Sequence, residues 1–302
     1  MYPTIPLPDD ASELSEQLGS KKKFWCRIKE QRYLFKVGRQ GTGENWAEKV
    51  AAELANLLGV PHALYDLAVC KGEYGVLSPA IVPPDGRLIL GNELLAELHT
   101  DYPLQRIRNV SDHTLPRIHA LLSREEVKIP IDWQPSNLSI QSAFDVFIGY
   151  LLFDAWIANQ DRHHENWGLI NYNGVIHLAP TYDHAASMGQ NETDANRRER
   201  LDTRDQGRHI NSYIKKARSA IYAGKNETKP LLTIDAFNYA AHRRPRAAKF
   251  WLDRLKQINI TECRITFEQL PVSVGISEVG IDFSLTLLRL NRDRLLQHEV
   301  AP

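Results

Sequence analysis

Apolar and polar positions alternate along Phe24–Ile28 and Tyr33–Val37, the period of half-buried strands. With Glu30-Gln31 as the tight connection, they predict a β-hairpin after a polar N-terminal segment. The loop Gln40-Gly41-Thr42-Gly43 leads into a helical period from Asn45 to Leu58, where Trp46, Val50, Leu54, Leu57 and Leu58 share one face and Gly59 is placed to end the helix. Two more strands are predicted at Ala63–Val69 and Tyr74–Val82, before Pro83-Pro84-Asp85-Gly86 breaks the chain with turn residues. That break sets the expected boundary between an N-terminal lobe, residues 1–85, and a C-terminal lobe, residues 86–302.

From Asn92 onward the pattern is mainly helical and reaches its most apolar stretch at Ala143–Ala158. This run is shorter than a bilayer span and carries Asp145 and Asp154, so it reads as a buried helix. Short strands follow at Trp167–Ile170 and Val175–Leu178, joined by Asn171-Tyr172-Asn173-Gly174, whose Asn-Gly pair is a strong hairpin signal. Helices are predicted again at Ile234–His242, Arg246–Gln257 and Ser277–His298. No internal repeat or low-complexity segment interrupts this order.

A length of 302 residues allows one large domain or two modest ones. With 43% hydrophobic and 25% charged residues, the chain is neither disordered nor fibrous in composition. Lys plus Arg (37) balance Asp plus Glu (37), so no overall field draws the chain to nucleic acid or to an anionic membrane, and neither partner is expected. Three widely spaced cysteines favour a reducing compartment. The N-terminus has prolines and acids where a secretory signal has a basic start and an apolar run, and a cytoplasmic location is expected.

Candidate chemistry concentrates at Asp161-Arg162-His163-His164-Glu165-Asn166, where the apolar helix ends and the hairpin begins. An Asp and an Asn at this spacing, followed after a short hairpin by Asp183, suit phosphoryl transfer. The first Asp accepts the proton of the acceptor hydroxyl, and the Asn and second Asp hold Mg²⁺ against nucleotide phosphates. Such a reaction also needs a cation on the phosphates. Lys36 stands in the apolar strand Tyr33–Val37, and Glu48 on the next helix is a candidate partner for it. Upstream, Gly19, Ser20 and Lys23 lie in a lysine-rich segment that reads as a phosphate-covering loop.

The segments YLFKVGRQGTGENWAEKVAAELANLLGV, NQDRHHENWGLI and HLAPTYDHAAS, in this order, resemble the HipA-like serine/threonine kinases, and the resemblance runs from about Gly19 to Leu296. It implies an α+β, two-lobed protein-kinase-like fold, related also to the phosphatidylinositol 3/4-kinases, with a small sheet-plus-helix lobe and a mainly helical one. It also implies ATP and Mg²⁺ as cofactors, Lys36 on the phosphates, Asp161 as catalytic Asp, Asn166 and Asp183 as metal ligands, and Ser20 as a candidate for autophosphorylation. A protein with a Ser or Thr acceptor is the implied substrate, and an antitoxin or other regulator an implied partner. The chain begins near its phosphate loop, so the extra N-terminal subdomain of longer toxin-type members is expected to be missing. Its phosphate loop is richer in lysine and poorer in glycine than the family's.

Each residue also has a plainer reading. Lys36 fits an edge-strand lysine snorkelling to solvent. Asn45-Trp46-Ala47-Glu48 fits a capping box in which Glu48 only closes the helix end. Asp161 and Asn166 suit a turn, and Asp183 suits a cap of the residues after it. His163, His164, His177 and His184 invite a metal-site reading, but adjacent histidines diverge and no H-E-x-x-H motif occurs. The basic stretch from Arg197 to Arg218 has acids interleaved and reads as a solvated face. The rival functions are a phosphoinositide kinase and a non-catalytic nucleotide-binding module.

Overall fold

In a computed structural model that describes residues 1–15 and 22–297, six N-terminal strands form one sheet: β1 (Thr4–Pro6), β2 (Leu14–Ser15), β3 (Lys23–Ile28), β4 (Gln31–Val37), β5 (Asp66–Cys70) and β6 (Glu73–Pro79). Their order is β1-β5-β6-β4-β3-β2, and all neighbours are antiparallel except β1 with β5. Helix α1 (Glu44–Leu58) crosses between β4 and β5. The chain then adds β7 (Arg87–Leu90), α2 (Gly91–Leu98), α3 (Leu115–Leu122), β8 (Val127–Lys128), α4 (Ala143–Ile157), β9 (Gly168–Tyr172) and β10 (Val175–Leu178). It finishes with α5 (Asp194–Asp202), α6 (Ile210–Ile214), α7 (Thr233–Ala241), α8 (Pro245–Gln257), α9 (Ile260–Glu268) and α10 (Glu278–Gln297). A second sheet has the order β7-β9-β10-β8.

One expectation is corrected, the position of the first hairpin turn, and strands beyond those predicted are added. The polar N-terminal segment contributes β1, with Ile5 and Leu7 packed into a small cluster that includes Phe24, Phe35 and Leu77. Its prolines mask the pattern, yet Pro6 is tolerated because β1 is an edge strand that need not donate on its open side. The first hairpin turns at Lys29-Glu30, since Ile28 pairs with Gln31 and Lys29 takes a positive φ without the glycine or asparagine that usually signals it. β7 forms directly after the proline break, as an edge of the second sheet. The Asn-Gly hairpin falls where expected: Tyr172 pairs with Val175, and both Asn173 and Gly174 have positive φ.

The main core is built on α4, in which all fifteen residues are buried. Ser142 and Asp145 cap its start, each side chain accepting a backbone N–H of the other. Helices α7, α8 and α10 surround α4, and α1 belongs to the same core, through Trp46, Val50, Leu54 and Leu58, while also backing the first sheet. A helix encased on every side needs no polar face, which explains why the period of α4 vanishes into a continuous apolar run.

Gly149 sets the approach of α8 to α4. A Cβ there would lie 2.4 Å from the ring of Trp251, whose Nε1 is itself fixed by a 2.8 Å bond to the Asp145 carbonyl. Gly149→Ala gains about 1 kcal/mol of helix propensity, but overpacking of a rigid ring costs about 1–3 kcal/mol. The expected result is a net loss of stability, read as a lower urea midpoint; an unchanged or higher midpoint contradicts the packing.

Candidate active site

The site is organised where α4 ends. Ala158 takes a left-handed conformation and turns the chain, and Asn159 Nδ2 donates back to Asp154 Oδ1 at 2.8 Å. Arg162 then folds over the helix end and donates from Nε and Nη2 to the two Asp154 oxygens, each at 2.7 Å. Its Nη1 donates to the carbonyl of Asn166 at 2.7 Å. The pair is sealed from solvent, with side-chain exposures of 0% and 2%. Burial opposes the guanidinium charge, but Asp154 outweighs it and holds Arg162 above its ordinary range.

Within this loop Asn166 Nδ2 donates to the Asp161 carbonyl at 2.6 Å, which fixes the amide and leaves Oδ1 as its acceptor end. Asp161 remains partly exposed, with Oδ2 3.9 Å from His163 Nε2. Asp183 lies in the short segment after β10 at φ +60°, a left-handed conformation that aspartate tolerates better than most non-glycine residues and that its surroundings hold in place. Two contacts do so: Asp183 N donates to the Tyr65 hydroxyl at 3.3 Å, and the next N–H, that of His184, donates to Glu48 Oε1 at 2.7 Å.

Lys36 Nζ lies 3.6 Å from Asp183 Oδ2. Burial opposes its charge, but Asp183, Tyr65 and Glu48 together raise its pKa above the ordinary lysine value. Lys36 is therefore held by charges, not snorkelling to solvent. The capping-box reading of Glu48 is also corrected: α1 begins at Glu44 with Gly43 as N-cap, so Glu48 lies beyond the first turn, is buried, and uses its carboxylate on the Asp183 segment.

Lys23, Lys36, Asp161, Asn166 and Asp183 line one cleft of about 1260 Å³, with Glu48 at its back through His184 and Lys36. Gly19 and Ser20 lie outside the described residues. On the cleft's apolar side stand Trp25, Leu34 and Ala63, with the chain from Ser78 to Val82 that leaves the first sheet. Sequence reasoning missed Tyr65, Arg162 as the anchor of the loop, and His184. The available signal for Arg162 was Asp154, an acid inside an otherwise apolar helix that needed a cation.

The histidines form no metal cluster; among the described residues no group of three or more His, Cys, Asp or Glu is arranged to hold an ion. His113, His164 and His184 act instead as neutral hydrogen-bonding groups. His184 Nε2 faces Arg162 Nη2 at 3.1 Å, and a guanidinium only donates, so Nε2 accepts and the proton sits on Nδ1. His113 accepts from Trp167 Nε1 at 3.0 Å. Burial is the leading cause that pushes His113 down to about 3, His164 to about 4 and His184 well below the usual range. The basic stretch also departs from a plain solvated face: Arg197 is buried against Trp46 and Asp194, while Arg200 pairs with Glu192 and Arg208 with Glu199.

Fold and cleft together define an α+β, two-lobed protein-kinase-like structure. The crystal structure of a Helicobacter pylori proinflammatory kinase, CtkA, matches it with a TM-score of 0.73 at 18% identity, over 97% of this chain and 96% of that one. HipA of the Shewanella oneidensis MR-1 toxin-antitoxin system, solved with HipB and operator DNA, matches with a TM-score of 0.57 at 14% identity. That match covers 95% of this chain but 66% of the HipA chain. No family model and no curated protein matches the sequence.

Two outcomes follow from the buried network. Asp154→Ala strands a charged guanidinium in the core and is expected to cost about 3–5 kcal/mol in urea unfolding, whereas Asp154→Asn, which still accepts one N–H, loses less; equal stability of all three proteins contradicts the anchoring role. The second outcome concerns pH. The three histidines have folded pKa values below the unfolded value of about 6.5, so the unfolded chain takes up protons first as pH falls. Their contribution is complete above about 6.5 and declines below it. The urea midpoint should drop from pH 7 to pH 5, and His113→Gln should reduce that slope by up to about one proton. An unaltered slope in the variant means that His113 already titrates in the folded state.

Proposed function

We propose that the chain is a HipA-like kinase that transfers the γ-phosphoryl group of ATP to a serine or threonine hydroxyl of a protein, with Mg²⁺. The observation that carries this reading is the convergence of Lys36, Asp161, Asn166 and Asp183 on one cleft, in a chain that shares its fold with a kinase. In this reading the adenine rests against Trp25, Leu34, Ala63 and the segment from Ser78 to Val82, between lobes divided near residue 85. Lys36 neutralises phosphate charge, and Glu48 and Tyr65 keep it protonated. Asp161 receives the hydroxyl proton and aims the oxygen, while Arg162 holds the Asp161–Asn166 loop in one shape.

Asn166 Oδ1 and the Asp183 carboxylate are hard oxygen donors, and two such ligands completed by phosphate and water suit Mg²⁺, which seldom uses an all-protein cage. When bound, the ion would neutralise charge building on the phosphates. Ser20 and Gly19 would belong to the loop over those phosphates, with Ser20 a site of autophosphorylation, and Lys23 would be their cationic neighbour. A regulator protein is the class of partner this reading implies, because the HipA neighbour was solved with HipB. Support for a phosphoinositide kinase weakens, since three cations of the basic stretch that suggested it, Arg197, Arg200 and Arg208, pair with Asp194, Glu192 and Glu199.

Purified protein incubated with Mg²⁺-ATP should gain phosphate by intact-mass spectrometry, or release ADP when an acceptor protein is present. Asp161→Ala and Asp183→Ala should each lower the rate about 10²-fold or more with folding preserved by circular dichroism. Full activity in either variant overturns the assignment.

A further inference from the structure

Two segments that line the same cleft are given no role in the nucleotide reading: residues 107–110, and residues 218–220 with Tyr222. They are joined through His113, whose Nδ1 donates to the Ala220 carbonyl at 3.0 Å and whose own carbonyl accepts from Tyr222 N. The His113 ring lies 5.8 Å from that of His164, so this end of the cleft adjoins the loop bearing Asp161. Here two polar atoms are buried without a partner, His164 Nε2 and Ser219 Oγ, in residues only 1% and 3% exposed. Of the buried polar atoms without a partner among the described residues, these two belong to residues that line the cleft, where a ligand's hydrogen-bonding groups can satisfy them.

The rim has a different chemistry. Arg108 and Arg218 line the cleft and are exposed, and neither has a carboxylate partner among the described residues; Arg218 donates to the Pro230 carbonyl. The acids nearby are already engaged, Glu93 with Arg87 and the start of α2, and Glu165 with Asn92.

We propose that this end of the cleft is the acceptor subsite, and that it takes an extended peptide whose hydroxyl residue is flanked by carboxylates. The inference rests on the kinase reading and names its substrate class. Arg108 and Arg218 pair with the flanking acids, while the buried His164 Nε2 and Ser219 Oγ meet the N–H and C=O groups of the peptide backbone. In the transfer, the acceptor oxygen bonds to the γ-phosphorus, the bond from that phosphorus to ADP breaks, and the hydroxyl proton passes to Asp161. A lipid headgroup fits less well, since its phosphate would meet the exposed arginines and leave the two buried atoms unsatisfied.

The test uses fluorescein-labelled peptides carrying one serine between paired aspartates, alanines or lysines, with binding followed by anisotropy and transfer by mass after Mg²⁺-ATP addition. The aspartate peptide should bind about 10-fold more tightly than the alanine peptide. Arg108→Ala and Arg218→Ala should each shrink that ratio roughly 3- to 5-fold, the scale of one exposed ion pair, and Arg218→Lys should retain most of it. Reading the ratio within each variant separates charge recognition from misfolding. Equal binding of the three peptides, or a ratio unmoved in both alanine variants, overturns the acidic preference, with or without transfer. So does binding to phosphatidylinositol 4-phosphate vesicles that the aspartate peptide fails to displace. Selective binding without transfer to any serine, in the peptide or in the chain itself, instead overturns the kinase reading and with it the acceptor role.

Discussion

The buried pair between Arg162 and Asp154 is the constraint on which the cleft depends. A guanidinium at zero exposure is tolerated only if its donors are met, and here they are met by three separate pieces of chain: the end of α4, the carbonyl of Asn166 and the ring of His184. Because the guanidinium cannot accept, it also dictates the tautomer of His184. The backbone of His184 then donates to Glu48 on α1. One desolvated charge thus ties the most buried helix, the Asp161–Asn166 loop, the Asp183 segment and α1 into a single arrangement.

That arrangement explains how a non-glycine residue can sit at φ +60°. Asp183 is over-determined, with Tyr65 accepting its N–H, Glu48 accepting the next one, and Lys36 beside its carboxylate. The three supporting groups come from β4, α1 and the chain just before β5, so the carboxylate is positioned by the first sheet and its helix while the Asp161 loop is positioned by α4. The cleft lies where these two supports meet. The shared core through α1 gives that meeting a packed base, not a hinge alone.

Much of the architecture was legible because it follows from local chemistry. The Asn173-Gly174 turn, the Gly59 stop of α1 and the unbroken apolar run of α4 each specify one outcome. What stayed hidden depends on contacts between distant segments. Asp145 and Asp154 stood out as acids in a buried helix, but nothing local says that one caps the helix and pairs with Arg244 while the other anchors Arg162. Glu48 sits at a spacing that also fits a capping box, and only the tertiary position of His184 N–H decides between the two. Residues 107–110 and 218–222 carry no motif at all; His113 brings them together.

The charge balance at Lys36 and Asp183 bears on what the cleft can admit. The two groups lie close enough to compensate each other. A metal ion entering alone would compete with Lys36 for Asp183, and a phosphate entering alone would compete with Asp183 for Lys36; each would leave one charge of the pair uncompensated in a partly desolvated site. A nucleotide arriving with its cation would avoid both costs, since Asp183 would hold the cation while Lys36 faced the phosphates. In the kinase reading, this ion pair would favour a metal-nucleotide complex over either component, and Glu48 and Tyr65 would help keep Lys36 protonated.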